Sequence, residues 1–93
     1  MAQIKITVKR PSILTCWYYT PMQERNYIHE SYPNLTYKRI LSEDLLTVTR
    51  IRTGSYEDCL RFYKEFNDPN SIFKARKVYN KINGIIYTIE LIE

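Results

Sequence analysis

"LTYKRILSEDLLTVTRIRTGSYEDCLRFYKEF", residues 35–66, decides the fold. Its first part is rich in β-branched and aromatic residues on both sides of Ser42-Glu43-Asp44, and it reads as two strands around a turn. Side chains alternate along a strand. Leu46 and Val48 therefore share one face with Arg50 and Arg52, while Leu45, Thr47, Thr49 and Ile51 share the other. After Gly54 the period changes. Ser55 suits an N-cap, and Glu57 and Asp58 fall in the first turn, where the helix dipole favours acids. Tyr56, Cys59, Leu60, Tyr63 and Phe66 then recur at helical spacing and predict one apolar stripe.

Downstream, Asn67-Asp68-Pro69-Asn70 breaks that helix. Helix resumes at about Pro69 or Ser71, with Ile72, Phe73, Tyr79 and Ile82 expected inward. Gly84 stands where a left-handed C-cap is wanted, and "IIYTIELI" is a last strand with Ile85, Tyr87, Ile89 and Leu91 on one face. Upstream, "QIKITVKR" alternates Ile4, Ile6 and Val8 against Lys5, Thr7 and Lys9, the mark of a half-buried strand, and Pro11 stops or bends it. "SILTCWYY" is a further extended candidate, an extra or bent strand at 13–19 with Trp17 and Tyr19 on one side and Tyr18 on the other; Trp17 and Tyr19 read first as core or dimer-contact residues, then as pocket lining, and last as a surface for stacking bases. Thr20-Pro21-Met22-Gln23 reads as a capping box, with Thr20 as N-cap and Pro21 at the first helical position. The helix is expected to run to about Glu30 and to end before Pro33.

The order strand, helix, strand, strand, helix, strand predicts a single α+β domain over residues 1–93. The expected form is a ferredoxin-like βαββαβ sandwich, an antiparallel sheet with helices on one face. The bare face needs cover, and a homodimer is the simplest way to supply it. From Leu46 through Ile85 the chain resembles the second half of dimeric α+β barrel proteins, of the antibiotic-biosynthesis monooxygenase group in fold. The shared features are a strand, an acid- and serine-capped helix after "RT", a "DP" break, further helix and a closing strand. "RPSILTCWYYTP" departs from that pattern. The resemblance implies a fold and a tendency to dimerise; no catalytic residue is carried over, because none matches. The tyrosine- and lysine-rich style also resembles phage-encoded accessory proteins.

Charge and chemistry narrow the function. The net charge is +4, which permits a polyanionic partner such as nucleic acid. No apolar run approaches the ~20 residues that span a membrane, and "MAQIKITVKR" lacks the apolar core of a signal peptide, so a cytoplasmic chain is expected. Cys16 and Cys59 have no CxxC or Cys/His company, which gives no zinc signal and fits free thiols in a reducing compartment. There is no glycine-rich phosphate loop, nucleophile elbow or HExxH, and no cofactor is implied. His29 is the only histidine; a solvated helix-end residue is the plain reading, a general base the sharper one.

The basic residues carry more. Lys38, Arg39, Arg50 and Arg52 lie on the two paired strands, and the arginines that follow Leu46 and Val48 must snorkel, pair with acids or meet a ligand. Lys74, Lys77 and Lys81 form a stripe on the last helix that reads as a solvated face. The RNP1 pattern of RNA-reading sheets is absent. Three readings follow. The first is a non-enzymatic module that binds a protein or a nucleic acid through Lys38, Arg39, Arg50 and Arg52. The second is an α+β-barrel-type enzyme or small-ligand binder with a cavity lined by Trp17, Tyr19 and His29. The third is a structural subunit of a larger, viral assembly.

Overall fold

A computed structural model describes residues 1–93. The elements are β1 (Ala2–Lys9), α1 (Met22–Ser31), β2 (Thr36–Leu41), β3 (Thr47–Gly54), α2 (Tyr56–Asn67), α3 (Lys74–Ile82) and β4 (Ile86–Ile92). The chain is an α+β fold: four strands in one antiparallel sheet, ordered β2-β3-β1-β4, and three helices. None of the helices is long and apolar enough to cross a membrane.

The alternation in β1 sets the layers. Ala2, Ile4, Ile6 and Val8 are buried under the helices, and Lys9 points out. Register carries that face across the sheet. Ile4 lies opposite Arg52 on β3 and Leu91 on β4; Ile6 lies opposite Arg50 and Ile89; Val8 lies opposite Val48 and Tyr87. On β2, Tyr37 and Arg39 pair with Arg52 and Arg50 and so face the same way. The other face carries Lys5, Thr7, Thr49, Thr88 and the exposed Ile40 and Ile86.

Caps and turns fix the helices locally. The Ser55 hydroxyl accepts from Asp58 N–H at 3.1 Å, as its position predicts. Cys59, Phe62 and Phe66 are the buried residues of α2, so its inward stripe is centred on Phe62 rather than on Tyr56, which is exposed. Phe62 meets Tyr32, Phe66 and Phe73 with ring centroids 5.1, 6.4 and 5.5 Å apart, the centre of the core. Full burial of one such ring is worth about 1.5–3 kcal/mol. Gly84 adopts φ 70°, the left-handed conformation that ends α3.

Other expectations fail as well, and helix resumes only at Lys74, after a turn through residues 69–73, not at Pro69 or Ser71. Residues 13–19 form no strand: the Ser12 carbonyl and hydroxyl accept from the N–H groups of Thr15 and Leu14, which turns the chain away from β1. Thr20 does not cap α1; Pro21 holds the cap position without a side-chain hydrogen bond, because the Thr20 hydroxyl is engaged by Arg76 at 2.6 Å. Ile72 and Ile82 are exposed, and the inward positions of α3 belong to Arg76 and Asn80. The helix α3 follows Phe73, which is buried, so its inward stripe is Phe73, Arg76, Asn80 at spacings of three and four.

Candidate functional site: an arginine-lined groove

The helices cover the sheet unevenly. Over β1 and β4, α2 and α3 press Phe62, Phe66 and Phe73 onto Ile4, Tyr87 and their neighbours. Over β2 and β3 the cover is α1 and the segment 12–21, and between them and the strands lies a groove of about 710 Å³. Segment 12–21 has no regular structure and is tied down by side chains. Arg10 donates through Nε to the Leu45 carbonyl at 2.9 Å and through Nη1 to the Thr15 carbonyl at 3.0 Å, and its guanidinium sits 4.5 Å from the Trp17 ring centre. The Tyr79 hydroxyl donates to the Cys16 carbonyl at 2.7 Å. At the far end of α1, the Tyr27 and Tyr32 hydroxyls both donate to the Glu65 carboxylate, and Arg61 donates to the Ser31 carbonyl.

Five arginines line the groove: Arg25, Arg39, Arg50, Arg52 and Arg76. No carboxylate lines it. The one acid close by is Glu24, buried on α1, whose Oε1 accepts from Arg76 Nε at 3.1 Å. Arg76 is thereby neutralised. Arg50 and Arg52 have no such partner; neither makes an ion pair, and Arg50 Nε is buried without any hydrogen-bond partner. Burial pushes the Arg50 guanidinium down to about 10, helped by the nearby Arg76 charge. Burial lowers Arg52 as well. A snorkelling arginine carries its head to bulk water; Arg50 leaves part of its head inside the protein.

Aromatic rings alternate with the guanidinium groups. Arg52 lies between Tyr37 and Phe62, 4.6 and 5.4 Å from the ring centres. Arg76 lies 4.8 Å from Tyr18, and Arg25 lies 6.0 Å from Tyr19. A ring face fixes the plane of a guanidinium without using its N–H edge, although Arg76 spends part of that edge on Glu24 and Thr20. Beneath the arginines is a smaller cavity of about 40 Å³. Its walls include Ile4, Ile6, Val8, Phe62 and Phe73, and it shares Arg50, Arg52 and Arg76 with the groove.

The two residue sets that the sequence kept apart thus meet. Arg39, Arg50 and Arg52 from the hairpin line the same groove as Trp17, Tyr19 and His29. Lys38 does not: it alternates to the outer face of β2 opposite Ile51. His29 is exposed on α1, and Tyr19 is also largely exposed. Tyr18, thought to face away from Trp17 and Tyr19, lines the groove with them because the segment is not a strand. Both cysteines are free thiols; Cys59 is buried, which raises its pKa, and Cys16 is exposed.

Sequence reasoning missed Glu24 and Arg76. A signal for both exists. Glu24, Ile28 and Tyr32 share one face of α1, and Phe73, Arg76 and Asn80 share one face of α3. Each face puts one charge at a position otherwise suited to core, as β3 does with Arg50 and Arg52. Comparison with protein-family models, curated proteins and solved structures finds no match for this chain.

Proposed function

We propose that this protein is a non-enzymatic binding module of ferredoxin-like type whose groove holds single-stranded nucleic acid. The observation that carries the reading is the buried, unpartnered Arg50 Nε beside Arg52 in a groove without acids. A half-buried guanidinium with an unpartnered Nε is costly to keep, and an anion that meets its N–H groups offsets that cost. Phosphate oxygens are the natural partner for arginine N–H edges. The rings of Trp17, Tyr18 and Tyr37 supply flat surfaces for bases, each stacked base being worth about 1–3 kcal/mol. A duplex keeps its phosphates on the outside of a stiff rod and cannot lower one to Arg50; a single strand can. The ferredoxin-like assignment rests on the order β2-β3-β1-β4 in an antiparallel sheet.

Trp17 is the only tryptophan and lines the groove, so its fluorescence reports on occupancy. Titration with a short oligothymidylate is expected to change it. The affinity should fall with salt at a log-log slope of about −0.7 for each phosphate held. Arg50→Met is expected to weaken binding and flatten that slope. An affinity too weak to measure at low salt would end the reading and leave an acidic protein surface as the partner.

A further inference from the structure

The groove has an inner end, and the chemistry there is more specific than a basic surface. We infer that Arg50, Arg52 and Arg76 form a seat for a terminal phosphate monoester, the phosphorylated end of a strand or a mononucleotide, rather than for an internal phosphodiester. The inference rests on the groove being a nucleic-acid site and adds which phosphate occupies its depth.

Charge balance is the first support. The three arginines carry three positive charges, and Glu24, bonded to Arg76, removes one. Two remain uncompensated. A phosphate monoester carries about −1.5 to −2 at neutral pH, and two adjacent arginines draw it toward the full dianion. A single diester carries one charge and would leave one half-buried guanidinium without a counter-ion.

Position is the second support. The same three arginines border both the groove and the cavity of about 40 Å³ beneath it. Past them the walls are the apolar core, Ile4, Ile6 and Phe62 among them. A strand that ran on past the three arginines toward the smaller cavity would meet that core. A chain end has no such continuation.

The donors are the third support. The guanidinium of Arg76 is fixed by Glu24 and Thr20 and by the Tyr18 ring, and that of Arg52 is held between Tyr37 and Phe62. Arg50 Nε has no hydrogen-bond partner. The three terminal oxygens of a monoester offer one acceptor to each of the three guanidinium groups that border the cavity.

The test is a set of titrations of the full chain, read by Trp17 fluorescence. The ligands are hexathymidylate with a 5′-phosphate, the same strand with a 3′-phosphate, the same strand with hydroxyl ends, thymidine 5′-monophosphate and thymidine. One phosphorylated end is expected to bind at least tenfold tighter than the hydroxyl-ended strand, and Arg50→Met is expected to abolish that preference. Circular dichroism confirms that the variant is folded. Equal affinity for all three strands would overturn the terminal-phosphate seat and leave the single-strand reading standing. Binding of the monophosphate but of no strand would support the seat, with a free nucleotide as its ligand, and would overturn the single-strand reading. Failure of all ligands would overturn both.

Discussion

One face of one sheet has two halves of opposite character. On β1 and β4 it presents Ile4, Ile6, Val8, Tyr87, Ile89 and Leu91, sealed by α2 and α3. On β3 and β2 it presents Arg50, Arg52, Tyr37 and Arg39, roofed at a distance by α1 and segment 12–21. Strand pairing is continuous across the boundary, with Ile4 beside Arg52 and Ile6 beside Arg50. The sheet backbone therefore does not separate the halves; side-chain chemistry does. Apolar rows draw a helix into contact. Beside the row that carries Arg50 and Arg52 a groove stays open. The first half stabilises the fold, and the second half keeps partly buried charge at a cost to stability.

That contrast can be broken by substitution. Phe62→Ala, in the sealed half, is expected to destabilise by about 3–5 kcal/mol, because the ring is 1% exposed and leaves a cavity among Tyr32, Phe66 and Phe73. Urea unfolding measures it; a loss below ~1 kcal/mol would mean that the core is not centred there. Glu24→Gln, at the boundary, removes the only acid near the arginines. We expect a loss of about 2–3 kcal/mol, since Arg76 stays buried without its counter-ion, together with tighter binding of anions. Weaker anion binding with unchanged unfolding would contradict the charge balance described above.

Arg50→Met should act with the opposite sign. It removes a half-buried, unpaired charge and keeps an unbranched apolar stem, so a gain of about 1–2 kcal/mol is expected, seen as a rise in Tm. Destabilisation of that size would show that Arg50 has a structural partner. The pH dependence sharpens this difference. Burial holds Arg50 down to about 10, well below the ordinary arginine range. Folding disfavours its charged form, so the cost is complete below about pH 10 and fades as pH rises above it toward the ordinary arginine range. The stability gap between Arg50→Met and the wild type should narrow over that window, and wild-type anion binding should weaken through it.

Local chemistry made much of the fold legible. The Ser55 cap, the left-handed Gly84, the alternation of β1 and the hairpin around Ser42–Asp44 each depend on residues within a few positions of one another. Within that hairpin, Ser42 Oγ bonds Asp44 at 2.6 Å, and the same Asp44 oxygen accepts from Leu46 N–H at 3.0 Å. Segment 13–19 misled for a physical reason. Its apolar and aromatic content suits a buried strand, but Pro11 and the Ser12 turn redirect it, and Ile13 and Leu14 end in solvent. Its rings serve the groove instead. The stripe drawn for α2 missed Phe62 because Tyr56 and Leu60 satisfy the same spacing slightly rotated; packing against Phe73 chose between them.

By itself the sequence determined the four paired strands and the Ser55-capped helix, and that Val48, Arg50 and Arg52 lie on one side of their strand. Those facts follow from the two-residue pleat, the 3.6-residue turn and hydrogen bonds that span three or four positions. Tertiary structure alone decided that this side is the one under the helices, that α1 leaves a gap over it, and that Glu24 meets Arg76 from 52 positions away. No local rule reaches so far along the chain. Such a meeting is set by how the apolar rows of β1 dock α2 and α3, and the charge carried in with those helices finds its neighbours only after the core has closed.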